Sequence, residues 1–313
     1  MARMLTSNNP DLYKPGLRRV YLSAVADIPK EGRQILNVIS GPSPGGQAGR
    51  NYFDDVQVAS FGGFISKPEG EPIQYDRIQE VGTVRYQPFT FGLGARATME
   101  AMDDELYGVM AKLARELGAA GGYTQEVQFF RPLNSGFGTT GGTGFTAAGF
   151  DSTALFSTAH PLKRGGTAAN RATTDMDLSV TALEIAQDLM QTTVSESGTP
   201  DPRQGEVLVV PPQLCWTAKE LTTSELKPYT ANNEINPLYG EGMQMMMVHY
   251  LTDNDSWFLF ARKDRHDVNT WIRREIDVEF DSDFDTGDLK MKGVFRLATG
   301  HGDWRGVFGS LGA

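Results

Sequence analysis

Residues 54 to 91 read as two extended arms around a charged, turn-rich tip, Ser66-Lys67-Pro68-Glu69-Gly70-Glu71-Pro72, and a hairpin this polar cannot hold itself together. The outgoing arm sets Val56, Val58, Phe61, Phe64 and Ile65 among Gly and Ser. The returning arm carries Ile73, Tyr75, Ile78, Val81, Val84, Tyr86, Phe89 and Phe91. Open strand edges of this kind invite pairing with another chain. Two placements follow: the ribbon reaches onto a neighbouring subunit, which makes this an assembly protein, or it packs on its own domain.

A chain of 313 residues can bury a substantial core, in two domains or one elaborate one. Its 35 Gly residues announce many special backbone positions and long loops. No run approaches the length of a membrane span, and Met1-Ala-Arg-Met-Leu5 has no signal-peptide core, so a soluble chain without membrane contact is expected. Cys215 is the only cysteine, which excludes an intrachain disulfide and suits a reducing compartment. A net charge of -10 argues against a dedicated nucleic-acid reader. Residues 1 to 50 nevertheless hold Arg3, Lys14, Arg18, Arg19, Lys30, Arg33 and Arg50 against Asp11, Asp27 and Glu31. Such a positive arm either touches DNA or an acidic neighbour non-specifically, or is simply solvated.

Up to Asn51, five prolines and the breaker string Gly41-Pro42-Ser43-Pro44-Gly45-Gly46 predict an arm with little core of its own. Thr98 then stands as an N-cap before Met99, Met102, Leu106, Val109, Met110, Leu113 and Leu117, one apolar stripe on a long helix. Gly118, Gly121 and Gly122 end that helix, or it resumes as far as Pro132. Residues 134 to 175 form a Gly-, Thr- and Ala-rich stretch anchored by Phe137, Phe145, Phe150, Leu155 and Phe156. Thr181 and Glu184 make a capping box for a helix through Val194. The apolar strand Val207 to Val210 stops at Pro211-Pro212, and a short helix from Trp216 to Leu226 follows. Strands are expected over Met243 to Leu251 and Trp257 to Ala261. From Val268 onward, long alternating strands place Ile276, Val278, Phe280 and Phe284 on one face and Glu275, Asp277, Glu279 and Asp281 on the other.

No motif assembles a reaction centre. Gly136-x-Gly138-x-x-Gly141 has the letters of a dinucleotide fingerprint without the strand and helix around it. Asp281 to Asp288 resembles the start of a calcium loop, but its glycine falls one position late and Lys292 stands where the bidentate Glu belongs. His160, His249, His266 and His301 lack metal-ligand spacing, and Ser157 near His160 has no nucleophile elbow around it. No enzyme, metal or cofactor is expected.

The order of parts, together with Leu155-Phe156-Ser157-Thr158-Ala159-His160-Pro161, the run from Leu178 through Ser197-Gly198-Thr199-Pro200 to Leu208-Val209-Val210-Pro211-Pro212-Gln213-Leu214, the Ala218 to Leu221 helix, Asn233-Glu234-Ile235-Asn236-Pro237-Leu238, Trp257-Phe258-Leu259 and Gly302-Asp303-Trp304-Arg305-Gly306, resembles the major capsid protein of tailed bacteriophages. The implied fold is the α+β Hong Kong 97-type fold, nearest to the Mu-like prophage major head subunits.

The resemblance implies an N-terminal arm over residues 1–53 and an extended loop over 54–94. A peripheral domain would be built from 95–175 and 265–313, and an axial domain from 176–264 with its tip near Thr230 to Gly240. It implies pentamers and hexamers of a shell around packaged double-stranded DNA, assembled in the host cytoplasm. Intersubunit contacts would fall on Phe61, Phe64, Lys67, Glu69, Glu71, Tyr75 and Ile78, and non-specific DNA or neighbour contact on Arg18 and Arg19. No helical, charged scaffold segment is visible, so a separate scaffold is expected, with portal and decoration proteins as further partners. Some relatives crosslink a loop lysine; Lys67 is only a positional candidate and no crosslink is expected. Two alternatives stand beside this: an encapsulin-like compartment of the same fold, and a metal-dependent or hydrolytic enzyme using His160 and the Asp281 to Asp288 acids.

Overall fold

The computed structural model describes residues 10–41, 50–77, 79–104, 108–226, 235–283 and 285–312. Helix α1 (Pro10–Asp27), the short helix α2 (Gly32–Ile35) and strand β1 (Asn37–Ser40) come first. Strands β2 (Phe53–Val58) and β3 (Glu80–Tyr86) flank the projecting loop, and β4 (Phe89–Ala97) leads into helices α3 (Met99–Asp103), α4 (Val109–Phe129) and α5 (Arg131–Asn134). Three two-residue strands follow, β5 (Phe145–Thr146), β6 (His160–Pro161) and β7 (Thr167–Ala168), and then helix α6 (Val180–Gln191). The remainder comprises β8 (Val207–Val210), α7 (Cys215–Thr223), β9 (Gln244–Met247), β10 (Trp257–Phe260), β11 (Val268–Ser282), β12 (Leu289–His301) and β13 (Val307–Ser310).

One sheet runs β1-β11-β12-β4, with β5 also on β12; the other runs β13-β10-β8-β9. Alternation makes the first sheet two-faced. On β12, Leu289, Met291, Phe295 and Leu297 are buried, while Lys290 and Lys292 point outward. Those lysines stand opposite Asp281 and Glu279 of β11, and Lys292 Nζ lies 2.9 Å from Glu279 Oε2. The acidic face read from sequence is therefore balanced across the strands. Phe284 lies outside the described residues. The second sheet is apolar on both faces, because Phe258 and Phe260 enter one core with Phe156 and Leu297 while Trp257 and Leu259 enter another with Leu183, Ala186 and Met190 of α6. Unbroken apolar runs such as Val207-Leu-Val-Val210 are what a doubly covered strand requires.

The N-terminal segment differs from a coreless arm. Leu17, Tyr21 and Val25 of α1 are buried with Met110, Ala114 and Leu117 of α4, and Ile35 and Leu36 belong to the main core. Prolines and loop-like composition hid a spacing of four residues that brings Leu17, Tyr21 and Val25 to one face. The long helix also differs. Thr98 does cap α3, accepting from Ala101 N at 3.3 Å, but α4 begins afresh after Gly108 in the left-handed region (φ 68°). Leu106 lies outside the described residues. Glycines 118, 121 and 122 do not stop α4. A Cβ on Gly118 would sit 2.5 Å from Tyr21 O, and one on Gly121 2.5 Å from Ile276 Cδ1, so they exist to let α1 and β11 approach. Ser179, not Thr181, caps α6, accepting from Ala182 N at 3.2 Å. The strand expected over Met243 to Leu251 is confined to β9.

A charged junction ties α1–α2, α4 and the segment after β9 together. Glu126 of α4 accepts from Gly32 N at 2.8 Å, while Glu31 accepts from His249 N at 3.0 Å and meets His249 Nδ1 at 2.6 Å. Burial pushes the Glu126 carboxyl up to about 7; the Gly32 N–H opposes this and nearby Glu31 adds to it.

Replacing Gly118 with Val should lower stability by roughly 1–3 kcal/mol through overpacking against α1, read as a reduced melting temperature with helical content retained. Glu126 holds a proton in the folded chain over a pH range where the unfolded chain, titrating near 4.5, has lost it. Its contribution is therefore complete below that pH and is lost as pH rises through about 7. Glu126→Gln keeps an acceptor for Gly32 N–H and should flatten the fall in stability over this window, measured by urea unfolding at several pH values.

Candidate assembly surface

The projecting loop has a packed root and a bare tip. Strands β2 and β3 pair from Phe53↔Tyr86 to Val58↔Glu80, with one irregularity near Val58. Val81, Val84 and Tyr86 pack with Phe150, Trp271 and Ala298. Beyond the Ala59 N to Gln79 O bond of 2.8 Å, pairing stops, so the long two-stranded ribbon of the sequence reading is regular only at its root. The second half of the returning arm, β4, instead joins the main sheet through β12.

Phe61, Phe64, Ile65, Ile73 and Tyr75 are all exposed, Tyr75 at 93%. Lys67, Glu69 and Glu71 are exposed at the tip, where Gly70 takes a left-handed φ of 85° in the turn closed by Glu71 N on Pro68 O. Ile78 lies outside the described residues.

Polar contacts that sequence reasoning missed fasten the root. Asp76 accepts from Gly62 N and from Arg164 Nη2, each at 2.9 Å, so opposite sides of the loop converge on one carboxylate. The Gly62 and Arg77 N–H groups, with Arg164, hold that carboxyl below its ordinary range. Ser60 Oγ meets Ser197 Oγ at 3.0 Å, and Ser197 Oγ also donates to Phe61 O at 3.2 Å.

Beneath these contacts lies Arg305, whose side chain is 2% exposed. Its Nη2 reaches Glu196 Oε1 at 3.0 Å, its Nη1 Asp303 Oδ1 at 2.9 Å, and its Nε donates to Val194 O at 2.8 Å. Glu196 Oε2 in turn accepts from Lys163 N at 3.0 Å. The side chains that grip the loop, Ser197 and Arg164, thus each neighbour a residue of this buried network. The only sequence signals were the strings Ser197-Gly198-Thr199-Pro200 and Gly302-Asp303-Trp304-Arg305-Gly306.

The residues weighed for catalysis serve the core. His160 is fully buried, with Nδ1 at 2.6 Å from Asp151 Oδ2, Nε2 at 3.0 Å from Asn170 Oδ1, and its ring stacked on Trp304 at 4.3 Å. Burial works to raise Asp151, but bonds from His160 and Thr153 outweigh it and hold the carboxyl low. Ser157 Oγ accepts from Ala159 N within the turn, and Asn170 Oδ1 accepts from Ser157 N. Burial pushes the His301 imidazole down to about 4. Asp283 pairs with Lys290 at 2.6 Å and Asp288 with Arg96, while Gly287 closes the turn through its N–H on Asp283 O. Among the described residues, no three His, Cys, Asp or Glu side chains gather as metal ligands. Arg18 is tied to Asp277 at 3.0 Å, whereas Arg19 is exposed.

A two-faced sheet crossed by a long helix, a second unit apolar on both sheet faces, and a loop fastened at its root but bare at its tip define a shell subunit. Residues 79–309 match the family model for phage capsid protein, and the chain belongs to that family. Similar solved structures include the capsid of a native GTA particle, at 12% identity over 90% of each chain with a TM-score of 0.59. The capsid of bacteriophage JBD30 decorated with minor capsid protein trimers matches at 16% identity over 80% of this chain and 100% of that one, TM-score 0.55. A virus-like particle from Pyrococcus furiosus matches at 11% identity over 95% and 99%, TM-score 0.54. No curated protein matches in sequence. The fold is that of Hong Kong 97-type capsid subunits. As a phage capsid protein the chain is a structural component of the virion shell and not an enzyme. No helix among the described residues is long and apolar enough to cross a membrane.

Removing Arg305 leaves the buried Glu196 and the partly buried Asp303 without their countercharge. Arg305→Ala should cost about 3–5 kcal/mol, whereas Arg164→Ala, which breaks an exposed pair, should cost about 1 kcal/mol or less. Urea denaturation of the two variants makes the comparison.

Proposed function

We propose that this chain forms the pentamers and hexamers of an icosahedral head around double-stranded DNA, with the projecting part of the 54–94 loop, between β2 and β3, laid across a neighbouring subunit. The observation that carries this is the row Phe61, Phe64, Ile65, Ile73 and Tyr75, exposed on a segment whose root is fixed to its own body. Solvent exposure of so many large apolar groups on one loop marks a surface completed by a partner. At about 25 cal/mol per Å2, a few hundred Å2 of apolar burial yields several kcal/mol before association entropy. Repeated over a closed shell, such contacts need not be individually strong. Lys67, Glu69 and Glu71 set register more than affinity.

In this reading residues 1–53 form the N-terminal arm, 95–175 with 265–313 the peripheral domain, and 176–264 the axial domain. Residues 227–234, within and beside the expected axial tip, lie outside the described residues. DNA contact is non-specific and electrostatic; Arg19 is the freer candidate, since Arg18 is paired with Asp277. Scaffold, portal and decoration proteins complete the partner set. The phage capsid family match favours a head over an encapsulin-like compartment of the same fold.

Deleting residues 66–72 tests the loop. The variant should keep its circular dichroism and melting behaviour yet yield no closed particles by negative-stain microscopy. Normal heads from this deletion would overturn the reading.

A further inference from the structure

Strand β4 presents a nine-residue open edge of the main sheet among the described residues. It pairs with β12 from Phe89↔Leu297 to Ala97↔Leu289 without a register shift, and no strand lies on its other side. The opposite edge of that sheet, β1, and both edges of the second sheet, β13 and β9, are four residues long against nine for β4. The usual defences of an edge are missing. The sequence Phe89-Thr-Phe-Gly-Leu-Gly-Ala-Arg-Ala97 has no proline and no lysine, and its one charge, Arg96, is drawn to Asp288 of its own chain. Leu93, at the centre, is 59% exposed.

One glycine of this strand, Gly92, has no internal reason. A Cβ on it would meet nothing nearer than Gly293 O at 3.5 Å, whereas one on Gly94 would press on Met291 O of β12 at 3.2 Å. Glycine inside a strand weakens it and often marks a place where another backbone comes close.

We propose that β4 pairs antiparallel with β4 of a second copy about a two-fold axis through Leu93, fusing the two main sheets. The strand is complementary to itself in that register and in length. Leu93 faces Leu93, Gly92 faces Gly94, and the large Phe89 and Phe91 face the small Ala97 and Ala95. The single cation, Arg96, faces Thr90, so no like charges oppose each other. All nine residues take part, a joint of roughly 30 Å at about 3.4 Å per residue. This rests on the capsid reading, because it needs copies brought together in a shell, but it concerns a surface separate from the loop.

Opposed residues of an antiparallel pair have Cα atoms about 4.5–5.5 Å apart, within disulfide range. The native Cys215 is buried. Particles assembled from Leu93→Cys subunits and mildly oxidised should give a disulfide-linked dimer as the main species on a non-reducing denaturing gel. Thr90→Cys particles, where each cysteine faces Arg96, should stay monomeric. Normal particles of Leu93→Cys that give no dimer, as would occur if a neighbour's loop covered the edge, overturn the pairing while leaving the shell function standing. A dimer from Thr90→Cys as strong as from Leu93→Cys overturns the register. Should Leu93→Cys not assemble, amide exchange on the unmodified protein decides: residues 90–96 should gain at least tenfold protection on going from free subunit to particle, and unchanged exchange there refutes the proposal. Failure of the unmodified chain to form any particle would instead sink the capsid reading itself.

Discussion

A buried guanidinium is tolerated only when its donors all find acceptors, and the loop root is organised around meeting that demand for Arg305. Glu196, Asp303 and the carbonyl of Val194 surround it, and the Trp304 ring lies 4.7 Å from its Cζ. The penalty for leaving such a charge unpaired far exceeds the value of any surface contact on the loop. Because two of the three acceptors come from the turn at residues 194–196, satisfying Arg305 also fixes the position of Ser197. Because Glu196 receives the Lys163 N–H as well, the same requirement places Arg164 where it meets Asp76. Weak exposed contacts at the root thereby inherit the rigidity of a buried one.

The loop inverts the normal distribution of residues. Its interior end is secured by polar contacts at Asp76, Ser60 and Ser197, and its outer end presents Phe61, Phe64 and Tyr75 to solvent. In a chain that works alone this would be a liability, because apolar surface is exposed without compensation. In a shell subunit it divides the labour: the polar root sets direction within one chain, and the apolar tip supplies non-directional attraction to another. An apolar root would leave the angle loose, and a polar tip would gain little on association.

How much was readable in the sequence depended on how local the cause was. The alternation of β11 and β12, the doubly buried β8 and β10 and the existence of α6 follow from periodicity within single segments. Helix α1 was misread because prolines and net charge outweighed the four-residue spacing of Leu17, Tyr21 and Val25. The glycines of α4 leave two endings open in the sequence because their cause, the proximity of Tyr21 and Ile276, lies in other segments. The bare apolar tip was visible in composition, but its fastening was not. Glu196 and Arg305 are 109 positions apart and Asp76 and Arg164 are 88 apart, and nothing short-range foretells either pair.

The loop contact and the edge contact proposed above differ in kind. A loop reaching from one subunit onto the next is heterologous: donor and receptor surfaces differ, so repetition turns subunits into rings of five or six. Heterologous contacts within a ring leave each ring complete and separate. A patch that meets itself, an isologous contact, is one way to join rings, and a sheet edge suits it because backbone hydrogen bonds in antiparallel pairs are reciprocal. The two surfaces differ in character accordingly. The loop tip is apolar, projecting and tolerant of small changes in angle, as rings of unequal size demand. The edge of β4 is fixed in register by β12 and backed by the β11 to β12 pairing, the most extensive among the described residues. In the proposed shell, an adaptable contact within rings and a fixed one between them would let one sequence occupy non-equivalent positions.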